Sequence, residues 1–586
     1  MIDGLRKLMK DRGLGAYIIG SGDPHGSEYV HPYWQLRERV SGFTGSAGTL
    51  VATMEKAGLW TDGRYFIQAG RQLRPGIELY RVGVQGTPPI SRFLGDGLPD
   101  GAKIGFDGRS VSHDWFAKLK GQLEGRGFAY AYDEDVAGQL WEGRPPLMPE
   151  GRAFEHLPEF AGLSAAEKLA RVREKMKEKG YSGYLVSALD DVAWLLNIRG
   201  SDAQYAPLVY AYALVTERDA RVFAAPGKLA DVAKHLEAMR FELRGYDELP
   251  GFLRAHDGAR LYFNAGKTSA LAAAGIGCKT ESAPEKDIIP IMKAVKTERE
   301  LANMRAACLR EGAALARLLM WLDGHKEAGT VGTLRESDVA DKMSALRAGT
   351  RNYLHDSFRT IVAYGPNAAQ AHYGPEGRGA PLRPEGFLLV DTGGQYLDGT
   401  TDTTRTAALG PLTGQMKRDF TLVLKGHIAI DRAAFPATAT GHSIDALGRQ
   451  AMWEEGADFM HGIGHGIGYC LSVHEGPQSI AQRPSVPLQA GMVLSNEPAL
   501  YRENGHGIRT ENMMAVERRK KTDFGDFLGF ETLMFCPIDR AAIVPEMLTE
   551  TEWAWLDSYH AQTREKLAPL LDGRERAWLE EATRPL

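Results

Sequence analysis

Asp391 closes the apolar run Phe387–Val390, and Asp402 follows it across the turn dipeptides Gly393-Gly394 and Asp398-Gly399. A continuous apolar run bounded by such pairs predicts short strands folded back on each other, which would bring the two carboxylates together. Alone, the two acids read as well as a turn cap and a solvated strand residue, since Asp serves turns by bonding its own backbone. Downstream lie His461-Gly462-Ile463-Gly464-His465-Gly466-Ile467-Gly468, Val473-His474-Glu475-Gly476-Pro477, Asn496-Glu497-Pro498 and Gly507-Ile508-Arg509-Thr510-Glu511-Asn512. Two Asp, two Glu and one His from this set offer hard oxygen donors with a single borderline nitrogen. Such a set suits a pair of divalent ions, Mn²⁺ for example, better than a lone structural zinc. Cys470 has no companion in a C-x-x-C arrangement, so neither a zinc ribbon nor a redox motif is supported.

The order Asp391, Asp402, His465, Glu497, Glu511, with the H-G-x-G-H and V-H-E-G-P segments, resembles the pita-bread metallopeptidases, and among them the long, three-domain Xaa-Pro aminopeptidases (aminopeptidase P). Val40-Ser41-Gly42-Phe43-Thr44-Gly45-Ser46-Ala47-Gly48 and Trp60-Thr61-Asp62-Gly63-Arg64-Tyr65 resemble that family's first domain, and the run from Leu528 to Leu586 resembles its tail. The resemblance implies a role for each residue. Asp391 would grip one ion only, Asp402 and Glu511 would bridge both, and His465 and Glu497 would hold the other. A water between two ions about 3.5–4 Å apart becomes a hydroxide nucleophile near neutral pH, and Glu497 would accept its proton. His372 and His474 would face the scissile carbonyl and His461 would lie by the substrate's proline. Tyr501 is expected as a pocket wall. The implied reaction is hydrolysis of the bond between the N-terminal residue and a proline in second position, by a homodimer.

Strand alternation puts Arg509, Glu511 and Met513 on one face, so Arg509 is expected to steady Glu511, or else to reach a substrate carboxylate. Two rival readings follow from the same resemblance. A prolidase would cleave Xaa-Pro dipeptides and would need a group for the proline carboxylate. A non-catalytic pita-bread module would have lost its ligands, whereas all five are present here. His506 receives no role, and His355 and His442 read as surface or core residues.

Length and charge set the frame. The chain has 586 residues, 43% hydrophobic and 25% charged, with 70 basic against 75 acidic residues and a net charge of −5. At about 150 residues per domain this allows three or four units, and no global field would draw the protein to nucleic acid or an anionic membrane. Four scattered cysteines, Cys278, Cys308, Cys470 and Cys536, fit a reducing compartment. No signal-like start and no apolar run near the length of a membrane span is present, so a cytoplasmic protein is expected.

Three units are expected: α/β domains at 1–155 and 156–296, then a pita-bread catalytic domain at 297–586. The Pro/Gly-rich stretch Gly143–Pro149 reads as a linker. Capping boxes open helices at Ser164-Ala165-Ala166-Glu167 and Thr297-Glu298-Arg299-Glu300. Gly13-Leu14-Gly15-Ala16-Tyr17-Ile18-Ile19 is echoed by Gly180-Tyr181-Ser182-Gly183-Tyr184-Leu185-Val186, which predicts two copies of one α/β fold. Gly42, Gly45 and Gly48 lack the Lys-Ser/Thr of a phosphate loop and suit loop packing or a lid. Leu301, Met304, Cys308, Leu315, Leu319 and Leu322 form the apolar stripe of a scaffold helix. Trp553, Trp555 and Trp578 mark a tail expected to pack as helices on the catalytic unit.

Overall fold

The apolar run ending in Asp391 forms the wholly buried strand Phe387–Thr392, flanked on both sides by antiparallel partners, Ile361–Tyr364 and Thr403–Ala408. The register sets Asp391 opposite Thr404 and Thr392 opposite Thr403, with Asp402 just before the third strand. Between them the chain makes the small strands Gly394–Tyr396 and Gly399–Thr400, which pair with each other, and the first also pairs with Tyr353–Asp356.

The computed structural model describes all residues except 256–259, 277–279, 284–285, 376 and 484–485, so Cys278 lies outside the described residues. The chain forms two compact units, Met1–Leu157 with Leu163–Ile289, and Pro158–Gly162 with Pro290–Leu586. The three expected ranges therefore fall into two units, the first holding both α/β copies.

That first unit carries the duplication. One sheet runs in the order Glu78–Arg81, Ala57–Thr61, Thr49–Thr53, Ala16–Ile19, Lys103–Phe106, Ala129–Ala131. The other runs Phe241–Gly245, Ala220–Ala224, Ala211–Thr216, Gly183–Val186, Leu261–Phe263, Thr280–Glu281. Taken in chain order, both sheets have the same strand sequence and the same parallel and antiparallel pairings. The echoed segments Ala16–Ile19 and Gly183–Val186 occupy the same place in each. The Gly42–Gly48 loop is packed rather than open: Arg37 donates to the carbonyl of Gly48 (3.3 Å) and to that of Gly45, and stacks over Phe43.

In the second unit, Thr297 and Glu300 close a capping box that starts the 30-residue helix Glu298–Glu327, which buries Leu301, Met304, Cys308, Leu315 and Leu322 as its stripe predicts. A six-stranded sheet runs Phe435–Pro436, Gly525–Thr532, Asn512–Thr522, Val493–Asn496, Gly464–Gly466, Glu475–Ile480. The helices Gly414–Asp431 and Gly441–Glu454 share a core with this sheet, in which Phe420, Leu424, Ile428, Ile444 and Met452 pack with Leu494, Met514, Val516 and Phe530. The tail forms the helices Glu550–Leu567 and Gly573–Ala582, each opened by a capping box. No helix among the described residues is long and apolar enough to cross a membrane.

Candidate metal centre

Two sheets supply the five expected ligands. Asp391 and Asp402 come from the three-stranded sheet, while His465 lies on Gly464–Gly466, Glu497 directly follows Val493–Asn496, and Glu511 directly precedes Asn512–Thr522. The sheets are tied at the site, since Glu511 N donates to Thr404 O (3.1 Å) and Thr403 Oγ1 to Glu511 O (3.0 Å). The donor atoms of Asp402, His465 and Glu511 all lie within 4.8 Å of one another. His465 Nε2 is 3.4 Å from Asp402 Oδ2 and 3.4 Å from Glu497 Oε1. Asp402, His465, Glu497 and Glu511 are thus brought together, and Asp391 lies near enough for its charge to act on Glu497 and Glu511.

The orientation of His465 follows from its other nitrogen. Nδ1 faces the carbonyl of Gly466 at 2.9 Å, and a carbonyl can only accept, so Nδ1 carries a hydrogen and Nε2 is the nitrogen turned toward the acids. That is the arrangement in which a ligating histidine is oriented by its outer partner. The glycines that flank His465 are required by close strand packing. A Cβ on Gly464 would sit 2.0 Å from the carbonyl oxygen of Ser495, and one on Gly466 would sit 2.2 Å from that of Glu475. The glycines let neighbouring strands close on each other.

The electrostatics call for cations. Burial raises Asp391 and Glu511 above the usual carboxylate range, the neighbouring acids push both further, and Glu497 rises to about 6, chiefly through burial. His465 is pulled down by burial, yet Asp402 and Glu497 bring it up to about 9. Four acids sharing one buried site cannot all ionise without compensating positive charge. Asp391 Oδ1 is buried and has no hydrogen-bond partner. An orphaned carboxylate oxygen, a set of oxygen donors and one imidazole with Nε2 turned inward fit divalent cations, which would displace its proton.

Arg509 departs from expectation. Its Nη2 donates to Asp391 Oδ2 (2.6 Å), Nη1 to the Tyr501 hydroxyl (2.5 Å) and Nε to Thr404 Oγ1 (3.2 Å), so the guanidinium is committed to Asp391 rather than to Glu511 or a substrate carboxylate. Alternation fails here because the strand is interrupted. Gly507–Arg509 pairs with Ala499–Tyr501, whereas Asn512–Thr522 pairs with Val493–Asn496, and Thr510 and Glu511 lie in the break. Glu511 is held instead by Thr404 Oγ1 (2.7 Å).

The other candidates form the surround. His461 Nδ1 faces its neighbour's carbonyl at Gly462 (2.8 Å), so Nε2 accepts from the Tyr501 hydroxyl (2.8 Å), which itself accepts from Arg509. The His474 ring meets His465 edge-on, centroids 4.3 Å apart, and lies parallel to His372 at 6.5 Å. All three histidines are half-buried. His506, without a role in the sequence, bonds the buried Asp419 (2.9 Å), which also takes Arg502 at 2.5 and 2.8 Å and so clamps the hairpin that carries Tyr501 and Arg509. His355 is half-buried and His442 exposed.

Sequence reasoning missed Thr404 and Ser495, whose hydroxyl bonds Glu497 Oε1 (3.2 Å) and accepts from His465 N (3.0 Å). The Thr-rich run Thr400–Thr406 was the available signal, with hydroxyls spaced along the strand beside Asp402.

Comparison with known proteins places this geometry. The model of metallopeptidase family M24 matches residues 302–518, and that of the C-terminal region of the same peptidases matches 526–586. Creatinase/prolidase N-terminal domain models match 1–133 and 143–300. A probable Xaa-Pro aminopeptidase P of Laccaria bicolor is 39% identical, the alignment covering 99% of this chain and 92% of that protein. Aminopeptidase P2 of Arabidopsis thaliana is 37% identical over 100% of this chain and 88% of its own length. The crystal structure of an X-prolyl aminopeptidase from Caenorhabditis elegans, described as a cytosolic enzyme with a di-nuclear active site, superposes with a TM-score of 0.93 at 34% identity, covering 98% of this chain and 95% of that one. An Xaa-Pro dipeptidase from Bacillus anthracis, 22% identical with a TM-score of 0.52 over 64% of this chain, shares the fold alone.

Proposed function

The chain belongs to metallopeptidase family M24, and from that premise we propose how its site works. It is a metallo-aminopeptidase that hydrolyses the bond between an N-terminal residue and a proline in second position. The observation that supports the reading is the convergence of Asp402, His465, Glu497 and Glu511, with Nε2 of His465 turned into their midst and the charge of Asp391 acting on Glu497 and Glu511. These five would hold two divalent ions, which we take to be Mn²⁺. When bound, the ions supply the charge that acidifies a water and polarises the scissile carbonyl.

The chain's own groups do the rest. Glu497 accepts the proton of the attacking water at a carboxylate oxygen, and the same carboxyl returns it to the leaving nitrogen. That nitrogen belongs to a tertiary amide without N–H, so bond cleavage needs a proton delivered to it. His372 and His474 donate to the carbonyl oxygen as negative charge develops there. His461, fixed by Tyr501 and Arg509, walls the side occupied by the proline ring.

Arg509 bears on the choice between this activity and a prolidase. Most of its donors are held by Asp391, Tyr501, Thr404 and the carbonyl of Ala371, and the side chain is buried, so it is poorly placed to meet the carboxylate of a dipeptide. This favours peptides of three or more residues. Division into 1–155, 156–296 and 297–586 is supported by the duplicated strand order of the first two ranges. A cytoplasmic setting is supported by the dispersed cysteines and by the cytosolic relative. A homodimer is expected from the resemblance, and sizing in solution tests it.

The deciding experiment compares Xaa-Pro, Xaa-Pro-Xaa and Xaa-Ala-Xaa with the Mn²⁺-loaded enzyme. Rapid release of the first residue from Xaa-Pro-Xaa alone supports the proposal. Preference for the dipeptide makes the enzyme a prolidase, and equal cleavage of the alanine peptide removes proline from its description.

A further inference from the structure

Each aspartate of the site has a threonine as chain neighbour, and both threonines bond to a single buried ion pair on the other side. Arg347, from the helix Glu336–Ala348, and Glu311, from Glu298–Glu327, have fully buried side chains. Arg347 donates Nε to Glu311 Oε2 (2.9 Å) and Nη2 to Glu311 Oε1 (2.8 Å), while Nη1 reaches Asp356 Oδ1 (2.5 Å). Arg347 Nη2 also donates to the hydroxyl of Thr392, next to Asp391. Glu311 Oε2 accepts from the hydroxyls of Tyr396 (2.7 Å) and Thr401 (3.3 Å), the latter next to Asp402.

The hairpin between the aspartates is shaped around this pair. A Cβ on Gly394 would lie 2.7 Å from Arg347 Cδ, and one on Gly393 would lie 2.0 Å from the carbonyl oxygen of Thr401. Only glycine at both positions lets the hairpin close over the guanidinium. Gly394 N then donates to Thr401 Oγ1 (2.9 Å), and Ser357 Oγ to Thr401 O (2.8 Å).

Stability alone accounts poorly for such a pair, because replacing a buried ion pair with apolar groups of similar volume is often neutral or stabilising. What the pair does provide is a rigid link between the backbones that carry the two aspartates. We propose that Glu311 and Arg347 are positioning residues that set the spacing of Asp391 and Asp402 through Thr392 and Thr401, and thereby the affinity of the site for divalent ions. This rests on the dinuclear reading above. Outer partners of metal ligands typically govern affinity by about 10- to 100-fold.

The test is Mn²⁺ titration calorimetry on the full-length, ion-free protein, with Tm measured alongside. Thr392→Val and Thr401→Val remove only a hydroxyl, and Glu311→Gln/Arg347→Met removes both charges of the pair together, so neither is left buried alone, while the partly exposed Asp356 keeps the hydroxyls of Tyr353 and Ser344. Thr392→Ser restores the hydroxyl. The expected result is a loss of Mn²⁺ affinity of about 10-fold or more in both valine variants and the double variant, with Tm of the two valine proteins within a few degrees of wild type and Thr392→Ser binding like wild type. Undiminished Mn²⁺ affinity in the valine and double variants overturns the inference while leaving the dinuclear reading standing. A wild-type protein that binds no Mn²⁺ overturns the dinuclear reading, and this inference with it.

Discussion

Arg509 donates to Asp391 across 2.6 Å inside the carboxylate site, and the pair is almost wholly buried. The cation offsets one of four crowded acids and turns Asp391 Oδ1, which has no hydrogen-bond partner, into the remaining donor of that residue. Arg509→Met should therefore weaken Mn²⁺ binding by about 10- to 100-fold, read by calorimetry, and should lower kcat as well. Tyr501→Phe, which cuts only the link from Arg509 to His461, should leave metal affinity near wild type.

Asp402 and Glu511 are buried, and each lies within reach of His465. Asp402→Asn or Glu511→Gln should abolish turnover, with circular dichroism unchanged and fewer than two ions per chain by elemental analysis. Chelation of the wild type should remove activity in the same way, and added Mn²⁺ should restore it. Retention of most of the wild-type rate by either variant with metal present would sink the dinuclear mechanism.

His474 meets the His465 ring edge-on, at the margin of the carboxylate cluster. A group that stabilises an oxyanion acts in the transition state, so His474→Ala should lower kcat by on the order of 10²-fold or more, with metal content unchanged. Loss of metal with an unaltered rate per bound ion would reassign His474 to the metal shell.

His560 provides a pH signature away from the site. Its Nε2 accepts from Ile538 N (3.1 Å), and burial, reinforced by Arg540, Arg405 and Arg564, holds the imidazole down at about 3. The unfolded chain takes up this proton near the ordinary value of about 6.5, and the folded chain does not. His560 is thus at no cost above about pH 6.5, and stability should fall as pH drops from there toward 3. His560→Gln should flatten that part of the Tm profile. An identical slope in the variant would assign the acid sensitivity to other groups.

Much of the catalytic unit was legible in the sequence, because its signals are local. The apolar run Phe387–Val390 ahead of a glycine pair produced the strand Phe387–Thr392, capping boxes began helices at Thr297 and Ser164, and the echoed segments proved to be equivalent strands of two matching sheets. The five candidate ligands stood out by type and order, and the fold gathers Asp402, His465, Glu497 and Glu511. Their supports did not stand out. Arg347 lies 36 positions from Glu311 and 45 from Thr392, Arg509 is 118 from Asp391, and His506 is 87 from Asp419. None of these pairs leaves a pattern along the chain. Strand alternation misdirected Arg509 toward Glu511 because it presumes an unbroken strand, and the chain changes partner at Thr510 and Glu511. Residue types and local periodicity determined which groups could do chemistry. Which buried cation answers which anion was decided only by the packing of elements distant in sequence, because a charge removed from water must be matched by whatever the fold places beside it.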